Sequence, residues 1–259
     1  MKFTTEYFCI NNKFLVRNLV SRNLKIRYRK SFFGMLWTLL IPAGMAIMYY
    51  LIFHHVLKVQ IENYLLVIIG CIVPWTFFSN SLGTGTEMLV SNYTLLNKVK
   101  LPPQSLIFSD ASTHMLNLIL GIPVIIATKL LMGSDFTFKI FQFIPLMVAL
   151  FLIAYALSII FGIVYVYFRD LKYVITLLTQ FWFYATPVMY QVDMVPEKFR
   201  FLMHLNPVGF LFTGIQKSLV SNSWMSIQEV TSILIWMSFL TLIAFIALKK
   251  VRYKIVEIL

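Results

Sequence analysis

The sequence predicts an all-α integral membrane protein with six transmembrane helices, an N-terminal amphipathic helix, a short cytoplasmic helix and a re-entrant hairpin on the outer side. Of its 259 residues 59% are hydrophobic and only 12% are charged, about half the ~25% that soluble domains carry. Apolar stretches recur along the whole chain, each near the ~20 residues that cross a bilayer core. The net charge of +12 does not sit on a soluble basic module, so nucleic acid is not the expected partner.

The N-terminal residues 1–30 are predicted to form the amphipathic helix. Phe3, Tyr7, Ile10 and Phe14 recur at helical spacing, and polar and basic residues form a second stripe. A basic helix of this kind lies in the headgroup plane with its apolar face toward the lipid. The alternative is an unstructured, positively charged leader.

Six apolar spans follow this helix. The third and fourth are long enough to tilt or to begin at the interface. With the N-terminus inside, the inner segments hold 16 of the 22 Lys and Arg residues, and cytoplasmic loops carry the excess of such residues. Both termini are therefore predicted to be cytoplasmic. The spans cover residues 33–55, 63–83, 104–131, 141–167, 173–191 and 229–248.

Two connections between the spans have helical character of their own. The cytoplasmic stretch 86–104 has helical spacing at Met88, Leu95 and Leu96 and ends at a Pro-Pro pair, before which helix is disfavoured. It is predicted to be a short helix parallel to the membrane, with a plain loop as the alternative. On the outer side, residues 196–222 contain two amphipathic segments that are broken after Asn206 by Pro207 and Gly209 and are too short to span. They predict a re-entrant hairpin, and its place suggests a lid over an exit.

Catalytic and metal-binding motifs are absent from the sequence, as is a phosphate-binding loop, so no cofactor is expected in this chain. Asp110 and His114, four residues apart near the start of the third span, are a candidate functional pair because ionisable groups inside a membrane are costly. The alternative is a local pair within one helix. Lys129, near the end of the same span, is expected to extend outward to the interface.

Aromatic residues give the remaining signal. Phe181, Trp182 and Tyr184 fall in the middle of the fifth span, where the usual interfacial aromatic belt does not explain them. Tyr49 and Phe53 belong to the first span. Sugar rings stack their apolar faces on aromatic side chains, so these five residues are hypothesised to line a conduit for a long glycan.

Three segments together resemble the membrane subunit of type-2 ABC exporters of cell-surface polysaccharide. They are LKIRYRKSFFGMLWTLLIP (24–42), YFRDLKYV (167–174) and FYATPVMYQVDMVPEKFRFLMHLNPV (183–208). The resemblance covers essentially the whole chain, and the O-antigen branch is the most similar, with capsule next. It implies a homodimer in the bacterial inner membrane that is joined by two separate ATPase subunits, on which ATP and Mg²⁺ bind.

The resemblance also implies roles for individual residues. The helix 1–30 becomes an interface helix, 86–104 a coupling helix docked on the ATPase, and 196–222 a periplasmic gate. The substrate would be a glycan linked to undecaprenyl pyrophosphate, which enters from the inner leaflet. The implied residues are Glu87, Tyr93, Lys98, Arg169 and Asp170 for coupling, Arg27, Arg29 and Lys30 for the pyrophosphate, and Phe199, Phe201 and Pro207 for the gate.

Positive-inside topology alone also explains the three basic residues proposed for the pyrophosphate. The alternative cargoes are capsular polysaccharide and teichoic acid. A drug or lipid exporter of the same class, an integral membrane glycosyl or acyl transferase and a passive channel without an ATPase are further alternatives. A transferase would need acids, a base or a metal at one depth, whereas the ten acidic residues are scattered over loops.

Overall fold

The structure is a computed structural model that describes residues 13–29, 31–58, 61–99 and 101–251. Short 3₁₀ segments precede the second, sixth and eighth α-helices, and a π-helical turn continues the second one. Residues 1–12 of the predicted N-terminal helix, and Lys30, lie outside the described residues. The α-helices of the described chain are α1 (Lys13–Tyr28), α2 (Trp37–Tyr50), α3 (Tyr64–Ser91), α4 (Tyr93–Val99), α5 (Pro103–Leu131), α6 (Phe143–Tyr167), α7 (Leu171–Ala185), α8 (Glu197–Arg200), α9 (Leu202–Leu205), α10 (Gly209–Leu219) and α11 (Ile227–Val251).

Five helical stretches of the described chain are long and apolar enough to cross a membrane. They coincide with the first, second, third, fourth and sixth predicted spans, and most of their bounds lie within three residues of the predicted ones. The largest difference is at the second span, where the helix continues eight residues beyond the predicted end. The stretches are Gly34–Val56, Tyr64–Ser91, Pro103–Leu131, Phe138–Tyr167 and Ile227–Val251.

The fifth predicted span, 173–191, is only partly helical. Helix α7 has 15 residues, which gives a length of about 22 Å against a bilayer core of ~30 Å. It ends because Pro187 pushes the preceding Thr186 into the extended conformation, and Thr186 has φ −110° and ψ 139°. The prediction of a continuous helix through residue 191 was wrong, because it passed over this proline.

The predicted cytoplasmic helix 86–104 is divided between three elements. Its first residues belong to the end of α3, which stops where the Asn92 side chain donates back to the Met88 carbonyl oxygen at 3.1 Å. The seven-residue α4 follows, and α5 already begins at Pro103. The prediction of one helix over the whole stretch was wrong because Asn92, whose side chain competes for backbone hydrogen bonds, interrupts it.

Helix α3 is the centre of the bundle and packs along α6. Residue numbers increase in the same direction along the contacts of both helices. Phe77 packs on Phe151, and further along, the Ser158 hydroxyl donates to the Ser81 carbonyl oxygen at 2.9 Å. The two helices are therefore parallel, with their C-terminal ends on the same side. They approach closely at Gly85, where an added Cβ would lie 2.7 Å from Ser158 Cβ. Small residues at such contacts are typical of membrane helix pairs.

The chain from α7 to Met189 extends along the whole length of this pair. It begins next to the C-terminal end of α6, which is one end of the bundle. Past the end of α7 it reaches Tyr64, the first residue of α3, whose hydroxyl donates to the Met189 carbonyl oxygen at 2.9 Å. Because α3 and α6 are parallel, these two points lie at opposite ends of the bundle. A short helix and an extended tail thus cover the distance that α3 covers as one helix.

The hairpin predicted at 196–222 consists of α8, α9 and α10. Helices α8 and α9 are four residues each and are separated only by Phe201, which keeps helical φ and ψ. Asn206 then takes an extended conformation, as expected before Pro207, and α10 runs for 11 residues. The break thus falls at the Asn-Pro step, where the sequence predicted it.

Candidate functional site

The aromatic face of α7 is the first candidate site. Its buried side is formed by Ile175 and Phe183, while Phe181 is 75% exposed and Tyr184 is 64% exposed. Phe181 and Tyr184 are three residues apart, so they lie on one face of the helix. The structure therefore presents two of the predicted conduit residues on a common, accessible surface.

Trp182 points to the other side of α7. Its indole nitrogen donates to Oδ1 of Asn206 at 2.8 Å, and its ring meets Phe78 of α3 edge-on at 5.2 Å between centroids. Tyr49 is half-buried with its ring 5.8 Å from that of the buried Phe183. Trp182 thus contacts the interior of the protein, and of the predicted conduit residues on α7 only Phe181 and Tyr184 face outward.

Phe53 lies in the π-helical turn Leu51–Val56 that continues α2. It is half-buried and packs against the main hydrophobic core. In α2 itself only Pro42 and Ala46 are buried, and the other residues are half-buried or exposed. The first predicted span is therefore attached to the bundle by a narrow strip, and its remaining surface is open to lipid or to another chain.

The second candidate site is a cavity of about 440 Å³ between the end of α1, the start of α2, α3 and α5. Arg27 is the basic residue that lines it, and hydroxyl and amide groups from all four elements surround it. The other lining residues are Tyr28, Ser31, Trp37, Thr38, Ile41, Pro42, Val73, Thr76, Phe77, Asn80, Thr84, His114, Asn117 and Leu118.

A polar cluster forms one wall of this cavity. The two terminal nitrogens of Arg27 lie 3.2 and 3.1 Å from Nδ1 and Nε2 of His114. The Thr84 hydroxyl lies 2.9 Å from His114 Nε2 and 2.5 Å from Oδ2 of Asp110. Asp110 and His114 are almost completely buried. The pair is therefore more than a local contact within one helix, since it links α1, α3 and α5.

The structure separates the three residues proposed for the pyrophosphate. Both arginines are exposed, but Arg27 lines the 440 Å³ cavity, whereas Arg29 lines a separate groove along α1. Lys30 lies outside the described residues. Of the two described arginines, Arg27 alone contacts the buried polar cluster.

The residues proposed for ATPase coupling lie at the C-terminal ends of α3 and α6. Lys98, at the end of α4, and Arg169 and Asp170, in the turn after α6, are exposed, while Glu87 and Tyr93 are half-buried. Because α3 and α6 are parallel, both groups lie at the same end of the bundle. Arg22 of α1 donates to Asn92 Oδ1 at 2.8 Å, which attaches α1 to the junction between α3 and α4.

The proposed gate residues differ in exposure. Phe199 and Phe201 are 46% and 57% exposed, and Pro207 is half-buried. Lys129 also contacts this region: it is fully buried and donates to the Leu219 carbonyl oxygen at the end of α10, at 2.6 Å. The expectation that Lys129 extends outward was wrong, because the unpaired carbonyl groups at a helix C-terminus attract a cation.

Sequence comparison identifies the family. The sequence pattern of the ABC-2 type transporter family matches residues 15–220, a range that contains both candidate sites and the whole hairpin. The chain belongs to the ABC-2 type transporter family. Membership makes it the membrane subunit of a transporter, a multi-pass integral membrane protein, and implies an ABC ATPase as its partner. The resemblance noted from the three sequence segments is confirmed.

Individual relatives of this ABC-2 protein carry more specific names. An O-antigen export system permease protein of Klebsiella pneumoniae is 30% identical over 242 residues, which cover 93% of each chain. A protein of the same name from Myxococcus xanthus is 33% identical over 230 residues, which cover 86% of this chain and 88% of the relative. The similarity therefore extends over nearly the full length of these permeases.

Proposed function

We propose that this chain is the permease subunit of an ATP-driven transporter that exports O-antigen polysaccharide, linked to undecaprenyl pyrophosphate, across the bacterial inner membrane. The observation that carries the proposal is the end-to-end similarity to permeases named for O-antigen export. Similarity over nearly the whole chain includes the aromatic α7 and the hairpin, which are the parts expected to contact cargo.

The proposed permease is a homodimer with six crossings per chain and both termini in the cytoplasm. Five of the crossings are the long apolar helices, and the remaining one, fifth in the chain, is α7 together with the extended segment to Met189, which reaches the start of α3. The distribution of Lys and Arg supports the orientation. Reporter groups attached near Lys98, Lys198 and Lys249 test it: the first and third should be accessible from the cytoplasm and the second from outside. Opposite locations for Lys98 and Lys249 would contradict the six crossings.

In the proposed cycle, two ATPase subunits bind at the end of the bundle that carries α4 and the turn at Arg169 and Asp170. ATP binding can shift a transporter between states only if the ATPase contacts differ between those states. The exposed charges of Lys98 on α4 and of Arg169 and Asp170 in the turn provide contacts to which a rigid partner can bind. The ATPase carries the nucleotide and Mg²⁺, and this chain forms the path for the glycan.

The proposed path begins at the polar cavity lined by Arg27 and continues along the outward face of α7. The guanidinium group offers paired N–H donors, which suit a pyrophosphate. The cavity is bounded by the start of α2, whose surface is open to the lipid, so a lipid-linked headgroup can approach it from the inner leaflet. Phe181 and Tyr184 then offer rings on which successive sugars stack.

Deletion of the gene in its own bacterium tests the cargo. We expect the surface O-antigen to disappear, while the lipid-linked polymer accumulates inside the cell and reappears at the surface when the gene is restored. Immunoblots of surface polysaccharide and extraction of undecaprenyl-linked glycans measure the two pools. If O-antigen stays at the surface while capsule or teichoic acid is retained inside, the cargo is that polymer. If no polymer is retained, the proposal is wrong.

A further inference from the structure

Asn206 is a buried hydrogen-bonding centre between α7 and the hairpin. Its side-chain oxygen accepts from the Trp182 indole at 2.8 Å and from the Val208 backbone amide at 3.1 Å. Its side-chain nitrogen donates to the Ala185 carbonyl oxygen at 3.1 Å and to the Thr186 hydroxyl at 3.0 Å. A primary amide offers both donors and acceptors, so this single side chain satisfies groups on both elements.

The groups that Asn206 binds are the ones that end α7. Ala185 is the last residue of the helix, and its carbonyl oxygen is among those that an α-helix leaves unpaired. Trp182 lies one turn earlier and is fixed to α3 through Phe78. At the same time Asn206 closes the turn that leads into α10. The side chain of Asn206 therefore bonds both to the end of α7, the proposed glycan-lining helix, and to the break in the hairpin before α10.

The two parts of the hairpin on either side of Asn206 are held very differently. Helix α10 is fastened by Lys129 at its end, by Gln216, which donates to the Pro187 carbonyl oxygen at 2.6 Å, and by an ion pair of Lys217 with Glu229 at 2.7 Å. The α8–α9 tip, residues 197–205, is mostly exposed: Met203 is its buried residue. Any movement of the hairpin is therefore expected in the tip, with Asn206 at its base.

We infer that Asn206 is a positioning residue that makes the α8–α9 tip follow the outer end of α7 during transport. The inference rests on the proposed function, since it assigns the tip a role in passage of the glycan. If ATP-driven movement shifts α7, the amide carries that shift to the base of the tip. Without the amide, α7 and the tip move independently, and opening of the path is no longer coupled to the cycle.

A second contact restrains the tip from another helix and serves as a comparison. The Trp236 indole of α11 donates to the His204 carbonyl oxygen at 2.8 Å. Trp182→Phe deletes the indole N–H that bonds to Asn206 at the base of the tip. Trp236→Phe deletes the indole N–H that bonds to His204 at the end of the tip. Both variants keep an aromatic ring. The two variants thus differ mainly in whether the lost bond joins the tip to α7 or to α11.

Distances measured by spin labels in the purified complex with its ATPase test the inference. In a background with Cys9 and Cys71 replaced by Ser, one labelled copy per complex carries Phe199→Cys and Gln180→Cys, on the tip and on α7. A second pair, Asn80→Cys and Gln180→Cys, reports movement of α7 relative to α3. We expect ATP to change the second distance while the first stays constant in the parent protein and in Trp236→Phe.

With Trp182→Phe or Asn206→Ala, the distribution of tip-to-α7 distances should broaden or shift when ATP is added. Export in cells should fall roughly fivefold, which is the factor that corresponds to one lost hydrogen bond of ordinary strength. Thr186→Ser keeps the hydroxyl acceptor and should behave like the parent, while Thr186→Val should resemble Asn206→Ala. Folding is checked by the yield of complex, and Trp182→Phe keeps the test decisive if Asn206→Ala fails to assemble.

Two results would overturn the inference. In the first, the parent protein itself changes its tip-to-α7 distance with ATP as much as the variants do. In the second, Trp236→Phe and Trp182→Phe have equal effects. Neither result bears on the cargo, because the distances are measured without polysaccharide. If instead ATP changes neither distance in a complete complex, the proposed ATP-driven function fails, which is a separate outcome.

Discussion

Helices α3 and α7 are both apolar and aromatic, yet the structure uses them in opposite ways. In α3, 19 of 28 residues are buried, whereas α7 buries 2 of its 15 residues. Helix α3 packs against neighbours on all sides, while α7 touches the bundle along one narrow strip. The side chains of α3 therefore determine stability, and those on the outward face of α7 remain available to lipid, a second copy or a cargo.

The comparison shows that the hydrophobicity of a membrane helix does not reveal which of its faces contacts protein and which contacts lipid. Lipid tails are as apolar as a leucine side chain, so no hydrophobic force separates a buried face from a lipid-facing one. Burial is decided by close packing and by polar contacts between helices. On α3 such contacts are made by Gly85, which packs on Ser158, and by Thr84, which bonds to Asp110 of α5. Their counterpart on α7 is the bond from Trp182 to Asn206.

The largest effect is expected from Gly85→Leu in α3. A Cβ at this position would lie 2.7 Å from Ser158 Cβ, and leucine adds three more carbons, so the parallel pair of α3 and α6 must separate along its length. We therefore expect a cost above the about 1–3 kcal/mol that is typical of overpacking by extra methylene groups. We expect little folded protein in the membrane and a lower melting temperature in detergent. Gly83→Leu is the control, because no atom lies within 4 Å of its added Cβ; equal losses for both would refute the role of close packing.

Phe183→Ala should have the next largest effect. The Phe183 ring is buried and contacts the rings of Tyr49 at 5.8 Å and Trp75 at 5.4 Å, so its truncation leaves a cavity that costs about 3–5 kcal/mol. Phe181→Ala removes the same ring from the exposed face and should leave the melting temperature nearly unchanged. Thermal unfolding of the two purified variants measures the difference, and similar destabilisation would mean that α7 is packed on both faces.

Phe181→Ala and Tyr184→Ala should instead reduce export. Loss of an aromatic contact of about 0.5–1.5 kcal/mol should lower the rate of O-antigen appearance at the surface by a few-fold, at constant protein level. Leu177→Ala, on an exposed position of the same helix, removes an aliphatic side chain and should have little effect. Unchanged export in the double variant would argue against α7 as the glycan path.

The smallest effect is expected from the exposed charges that follow α3 and precede α7. Lys98→Ala, after α3, and Arg169→Ala, before α7, should barely change stability, because substitutions of exposed side chains usually change it by no more than about 0.5 kcal/mol. Each should weaken binding of the ATPase a few-fold, measured by co-purification at increasing salt. A change in melting temperature without a change in ATPase binding would place these residues in the fold and remove them from the docking surface.

Several features of the site could be read from local sequence. The Asn-Pro step predicted the break of the hairpin correctly, because proline restricts the residue before it. Pro187 carried the same signal for the end of α7, yet the apolar run on both sides of it concealed the break. Asp110 and His114 could be recognised as a pair from their spacing, but their partners Thr84 and Arg27 are distant in sequence and become visible only in three dimensions.

Lys129 shows where reasoning from the sequence stops. A lysine near the end of a membrane span normally reaches the interface, and nothing local distinguishes this one. It is buried because the end of α10, ninety residues later, supplies a carbonyl oxygen within 2.6 Å. Asn206 was missed for the same reason: only the fold brings Trp182 and Thr186 to its side chain.

The sequence by itself determined that the protein lies in a membrane and where its five long apolar helices run, because these depend on composition and on local breaks in the chain. The tertiary structure decided which face of each helix is buried and which polar groups meet. Those outcomes depend on contacts between residues far apart in the chain, and in a lipid environment no difference in hydropathy reveals them beforehand.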